Sequence, residues 1–242
     1  MSAPVFVLVH SPLVGPLTWG PVAAELGGRG YPAVVPALRA GETAEPPYWR
    51  QHVAAAVAAL AGTDATRPLV LVGHSGGGVL LPAMAAAAGR PVAAYLFVDA
   101  DLPHDGKSRL SRFADPADAD AFRAAATGGL IPTWTEDDLA EVIPDPALRR
   151  AFVAELRPLP LAVYDEPIPV PATWPDAPGG YLQFSPPYDA AAAEARALGW
   201  PLIAMPGGHF QMLVDPAAVA DALLDLLARL GVDPAPGTAA DA

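Results

Sequence analysis

The chain has 242 residues, 52% of them hydrophobic and 17% charged, with a formal net charge of −12 and no cysteine. That length suits one domain with a full core, and the composition is that of a globular rather than a disordered protein. The acidic balance argues against nucleic acid or an anionic membrane as partner, and the missing cysteines exclude disulfides, thiolate metal sites and a cysteine nucleophile.

Val5 to Val9 is a continuous apolar run and predicts a first strand buried on both faces, as in a parallel sheet. A loop rich in Gly and Pro leads to a predicted helix from Trp19 to Arg29, and Ala33-Val34-Val35 makes a second strand. Tyr48 to Ala61 reads as a helix with Gly62 just past its end. Leu69 to Val72 is the third strand, Val79 to Ala88 a helix, and Val92 to Val98 the fourth strand, ending at Asp99. From Pro103 to Pro178 the pattern changes to short amphipathic helical pieces broken by Pro and Gly, with no strand. Gly180 to Phe184 resumes the sheet, Ala190 to Leu198 is helical, Leu202 to Met205 is the last strand, and Pro216 to Leu230 the last helix.

This alternation predicts an α/β architecture with a doubly wound, mostly parallel sheet. Residues 1–102 and 179–232 then form the core, 103–178 an inserted helical cap, and 233–242 a disordered tail. No apolar run approaches a membrane span, and no charged segment precedes an apolar one at the start, so cytoplasm is the expected location. In such sheets a site sits at the carboxyl ends of the strands. His10, Ser75, Asp99 and His209 all fall there.

The richest signal is Gly73-His74-Ser75-Gly76-Gly77, a Gly-x-Ser-x-Gly placed between a predicted strand and a predicted helix. In that context the turn is so tight that only small neighbours fit, and the strained serine is held out at the top of the sheet. A serine hydroxyl is a weak nucleophile without a base. Of the five histidines, His209 follows a last strand and the Gly-rich Pro206-Gly207-Gly208, in the right chain order after the serine. Metal ligation has no support, because no histidine pair has ligand spacing and Asp137-Asp138 reads as a solvated helix start. No cofactor motif is present, so the expected partner is a small-molecule substrate. The oligomeric state is not legible.

Val5 to His10, the Gly73–Gly77 elbow and Pro206 to Phe210 together resemble the α/β-hydrolase superfamily, in its small esterase branch that also holds the plant hydroxynitrile lyases. The resemblance implies Ser75 as nucleophile, His209 as base and His10 as a structural residue of the oxyanion loop. It places the third triad member near Pro186 or Pro187, where this chain has no acid, and Asp189 falls two or three residues late, at a helix cap. Some relatives carry the acid at the end of the strand after the elbow helix, where this chain has Asp99. Asp99 therefore ranks first, with Asp189 and Asp101 as alternatives.

The family's two oxyanion donors correspond to the N–H groups of Gly76 and Pro12, and proline has none. A shift of one residue would bring in Leu13, and the Ser11 hydroxyl is a further candidate donor. Trp134 in the cap is the candidate substrate contact. Phe210, where hydroxynitrile lyases carry a lysine, argues against cyanohydrin cleavage. These residues point to a serine hydrolase of a small apolar ester, thioester or lactone. A non-hydrolytic lyase, cyclase or dehydratase on the same scaffold, and an inactive small-molecule binding protein, are the alternatives.

Overall fold

The computed structural model describes residues 3–39, 43, 45–113 and 115–232, and the tail expected at 233–242 lies outside them. In chain order the first elements are β1 (Val5–Val9), α1 (Gly20–Gly28), β2 (Ala33–Val34), α2 (Tyr48–Ala58) and β3 (Leu69–Ser75). A 3-10 turn at Gly78–Leu80 leads into α3 (Leu81–Ala88), followed by β4 (Val92–Ala100). The insertion carries α4 (Pro116–Ala125), β5 (Leu130–Ile131), α5 (Pro146–Glu155), β6 (Leu159–Pro160) and α6 (Ala162–Asp165). The core resumes with β7 (Gly179–Gln183), α7 (Asp189–Ala197), β8 (Leu202–Ala204), α8 (Gln211–Val214) and α9 (Pro216–Arg229).

Six strands form one parallel sheet in the order β2-β1-β3-β4-β7-β8. The apolar runs bury both faces by alternation, since successive strand side chains point to opposite sides. Phe6, Leu8, Val70, Val72, Leu96 and Val98 join one core with α1 and α9. Val7, Val9, Leu69, Leu71, Tyr95 and Phe97 join the other with α2, α3 and α7. Helix α9 shows why it docks: Val219, Leu223, Leu226 and Leu227 recur at helical spacing and are fully buried, while the Asp215 side chain accepts from the Ala218 N–H at 3.1 Å.

The strand order turns back between β1 and β3, and that switch point sets the carboxyl end of β3 beside the loop after β1. No Cβ fits at the crossing. A methyl on Gly77 would stand 2.6 Å from the Val9 carbonyl oxygen and 2.8 Å from that of His10, and one on Gly73 would stand 2.7 Å from the Gly78 Cα.

Two expectations change. The insertion is not purely helical, because Leu130–Ile131 pairs antiparallel with Leu159–Pro160. Two residues per strand are too few to show a period of two, so the sequence gives no sign of them. Asp137-Asp138 lies in a turn rather than at a helix start, with the Asp138 carboxylate accepting from the Thr135 N–H at 2.8 Å and its hydroxyl at 2.7 Å. The insertion between β4 and β7 is tied to α2 by Glu166, which accepts from the N–H groups of Tyr48 (2.9 Å) and Trp49 (2.5 Å) at the start of that helix. Among the described residues no helix is long and apolar enough to cross a membrane, and no group of three His, Asp or Glu is set to hold a metal.

The crowding at the elbow separates two substitutions of one chemistry. Gly77→Ala should lower unfolding free energy by about 1–3 kcal/mol in urea titration, since only backbone atoms stand in its way. Gly27→Ala, inside α1 with open space around it, should be neutral or raise stability by up to about 1 kcal/mol.

Candidate active site

Ser75 ends β3 at φ 52°, and Asp99 near the end of β4 has φ 40°; they are the only non-glycine residues with positive φ among those described. Each such backbone costs about 1–3 kcal/mol and persists only where its surroundings impose it. The two are linked, because β3 and β4 slip register there: His74 pairs with Val98 and Ser75 with Ala100, leaving Asp99 as the extra residue. The Tyr181 hydroxyl serves the backbone beside this bulge, accepting from the Ala100 N–H at 3.1 Å and donating to the Ala100 carbonyl at 2.9 Å.

Asp99 is wholly buried, and its carboxylate accepts four hydrogen bonds. Phe184 N–H (2.6 Å) and Ser185 N–H (3.1 Å) reach Oδ1, while Ser185 Oγ (2.5 Å) and His209 Nδ1 (3.1 Å) reach Oδ2. The structure therefore brings Asp99 and His209 together. Asp189 is elsewhere: it is the first residue of α7, makes no capping bond, and accepts instead from Gln183 Nε2 at 2.5 Å. The cap position belongs to Tyr188, so the helix-cap role expected for Asp189 is corrected. Asp101 pairs with Arg109 at 3.0 Å.

The His209 ring is flanked by His74, with centroids 4.3 Å apart, and by Tyr188, stacked at 5.0 Å and 8°. His74 points away from Ser75, as its place in the elbow implies, and its Nε2 meets the His209 carbonyl at 2.9 Å. Burial, with the neighbouring His209, holds the His74 pKa well below the usual range, so the ring is neutral and Nε2–H donates.

Ser75 is nearly buried, at 7% exposure, and makes no hydrogen bond with His209. Its Oγ is bonded to the Tyr188 hydroxyl at 3.0 Å. Burial raises the Tyr188 pKa to about 12, so a neutral phenol covers the serine.

Behind the serine lies a second polar group. Arg109 Nε and Nη2 donate to Asp101 Oδ2 at 3.1 and 3.0 Å, Nη1 donates to the Tyr164 hydroxyl at 2.7 Å, and the guanidinium lies 4.5 Å from the Tyr164 ring centre. Burial works against the Arg109 charge, but the Tyr164 oxygen and the Asp101 carboxylate outweigh it and hold the pKa above its ordinary value. Sequence reasoning missed Tyr188, Tyr164 and Arg109.

In the oxyanion loop, the Leu13 N–H is turned onto Ser11 Oγ at 3.3 Å, and His10 Nδ1 binds the Ser11 carbonyl at 2.8 Å. The Gly76 N–H makes no hydrogen bond among the described residues. Trp134 is 37% exposed and packs edge-on against Phe210, centroids 6.0 Å apart, one residue beyond His209.

The sequence pattern of the alpha/beta hydrolase family matches residues 6–222. Among solved structures, the chain is similar to an extracellular alpha/beta-hydrolase from a Paenibacillus species, described as sharing structural and functional homology with tobacco salicylic acid binding protein 2. Identity is 22% and TM-score 0.74, over 92% of this chain and 98% of that one. It is also similar to tomato methylketone synthase I complexed with 2-tridecanone (17% identity, TM-score 0.67, 95% of this chain and 100% of that one). A third is polyneuridine aldehyde esterase (16%, 0.67, 93% and 99%). At these identities the likeness is one of fold. No curated protein gives a significant match.

His10, buried behind Ser11, has its pKa lowered to about 4, chiefly by desolvation. The folded state thus favours the neutral ring, and its contribution to stability is complete above pH about 6.5 and is lost as pH falls toward 4. The loss at pH 4 should be about 3 kcal/mol. Urea titrations from pH 7.5 to 4 should show a steeper fall for the wild type than for His10→Asn; parallel curves would remove this assignment.

Proposed function

The chain belongs to the alpha/beta hydrolase family, and from that premise we propose that it is a serine hydrolase of a small, mainly apolar ester, thioester or lactone. The observation that carries the reading is the buried Asp99 carboxylate on His209 Nδ1, at the same end of the sheet as the strained Ser75. That bond fixes the tautomer: Nδ1–H donates to Asp99, leaving Nε2 as the base.

Tyr188 must first yield the serine hydroxyl, and substrate entering from the cap side displaces it. Ser75 Oγ then attacks the carbonyl carbon and its proton passes to His209 Nε2. The carbonyl π pair moves onto oxygen, which receives the free Gly76 N–H. Collapse reforms the carbonyl and expels the leaving group, which takes the proton back from His209. Water repeats the sequence on the acyl-serine, releasing the acid. Asp99 stays ionised and steadies the imidazolium. Trp134 and Phe210 form an aromatic wall beside His209 against which an apolar acyl or alcohol part can rest.

A second reading has one specific observation behind it, the Tyr188 hydroxyl on Ser75 Oγ. There the serine and phenol pass a proton without an acyl intermediate, as a lyase or cyclase requires.

A fluorophosphonate probe separates the two. The hydrolase reading expects stoichiometric labelling at Ser75, found by peptide mass, and loss of both labelling and p-nitrophenyl butyrate turnover in a folded Ser75→Ala variant. Turnover retained in Ser75→Ala would sink it.

Asp99→Asn would place an amide where His209 and two backbone N–H groups all donate, which favours the wrong imidazole tautomer. Its kcat should fall by about 10²–10⁴-fold. Asp189→Asn, on the Gln183 side chain rather than the imidazole, should stay within a few-fold of wild type in the same assay. The reverse pattern would move the acid to Asp189.

A further inference from the structure

Gly76 can supply one oxyanion donor, and at Pro12 and Leu13 the loop after β1 has no free backbone N–H to supply the other. Pro12 has no N–H. The Leu13 N–H is spent on Ser11 Oγ. A hydrolase with a single donor would forfeit about two to three orders of magnitude in rate.

The Arg109 guanidinium stands beside this gap. A methyl on Gly76 would overlap Arg109 Nη1 and come within 3.0 Å of Ser11 Oγ, so the head of the arginine fills the room that any side chain after the serine would take. Pro12, Gly76, Arg109 and Tyr164 share the lining of one small void of about 10 Å³ that opens toward Trp49 and His52 of α2 and is not lined by Ser75, so Arg109 reaches the turn from that side. Asp101 and Tyr164 engage three of the five guanidinium N–H groups, and one N–H on Nη1 and one on Nη2 have no partner among the described residues. The fork is held from behind, by the carboxylate and by the tyrosine ring, so its remaining donors are pre-aimed rather than searching.

We infer that Arg109 is a catalytic residue: its free guanidinium N–H is the second oxyanion donor, replacing the backbone N–H that Pro12 lacks. As the carbonyl π pair moves onto oxygen beside Gly76, that oxygen takes one hydrogen bond from Gly76 N–H and one from Nη1. No proton is transferred, and the guanidinium stays cationic throughout. A charge-assisted bond is stronger than a neutral amide contact, and it strengthens as negative charge develops. The inference rests on the Ser75 hydrolase reading.

The test is a cycle of four proteins, the wild type, Pro12→Ala, Arg109→Gln and the double variant, with kcat and KM measured on p-nitrophenyl butyrate and Ser75→Ala as reference. Arg109→Gln should lose about 10²–10³-fold in kcat, with KM changed less than about threefold. Pro12→Ala restores a backbone N–H, so it should raise kcat at least tenfold more in the Arg109→Gln background than in the wild-type background. If Arg109→Gln does not fold, Arg109→Met, which keeps the length and carries no donor, takes its place in the same cycle, with the same rescue expected. Wild-type kcat in Arg109→Gln while Ser75→Ala is dead overturns this inference and leaves the hydrolase reading standing. Equal effects of Pro12→Ala in both backgrounds overturn it too, since a merely structural arginine gives additive losses. Full turnover in Ser75→Ala defeats the hydrolase reading, and this inference with it.

Discussion

The arrangement of the site depends on one buried carboxylate. Asp99 has no exposure, and an ion so placed is tolerable only if its lone pairs are met. Its four donors come from two chain segments far apart in sequence, the turn after β7 and the loop after β8, and both must arrive correctly for the charge to be satisfied. The fold of the far half of the sheet and the orientation of His209 are therefore one event. The bulge at Asp99, with Tyr181 serving its backbone, aims the carboxylate at both partners.

Around that anchor the imidazole is held by rings rather than by further charges. Tyr188 stacks on it nearly parallel, and a neutral His74 lies against it while binding its own carbonyl. The neutrality of His74 matters, because a second imidazolium 4.3 Å away would oppose the cation that His209 becomes in the proposed hydrolysis. Burial first, and then the neighbouring His209, keep His74 in that state.

Much of this was legible in the chain, and the reasons are physical. Parallel strands buried on both faces announce themselves as apolar runs, so β1, β3 and β4 stood out, and the tight Gly-flanked turn marked Ser75. Asp99 was legible because it ends such a run. What escaped lies where local pattern carries no spatial information. Tyr188 stands beside an Asp in the same turn, and nothing in the order Pro187-Tyr188-Asp189 tells which side chain faces the serine. Arg109 and Tyr164 belong to the insertion between β4 and β7, whose short pieces meet through tertiary packing, Tyr164, Leu110, Ile131 and Leu159 clustering with Tyr48 of α2. One signal was available: Gly76 stands where the turn itself asks for no glycine, which marks space reserved for something else.

That reserved space ties two distant positions together. Any side chain at position 76 collides with the guanidinium, and any shorter residue at 109 leaves a polar hollow lined by Gly76 and Tyr164. A change at either position therefore asks the other's atoms to move, and glycine at 76 and arginine at 109 act as one steric unit although they stand 33 positions apart in the chain.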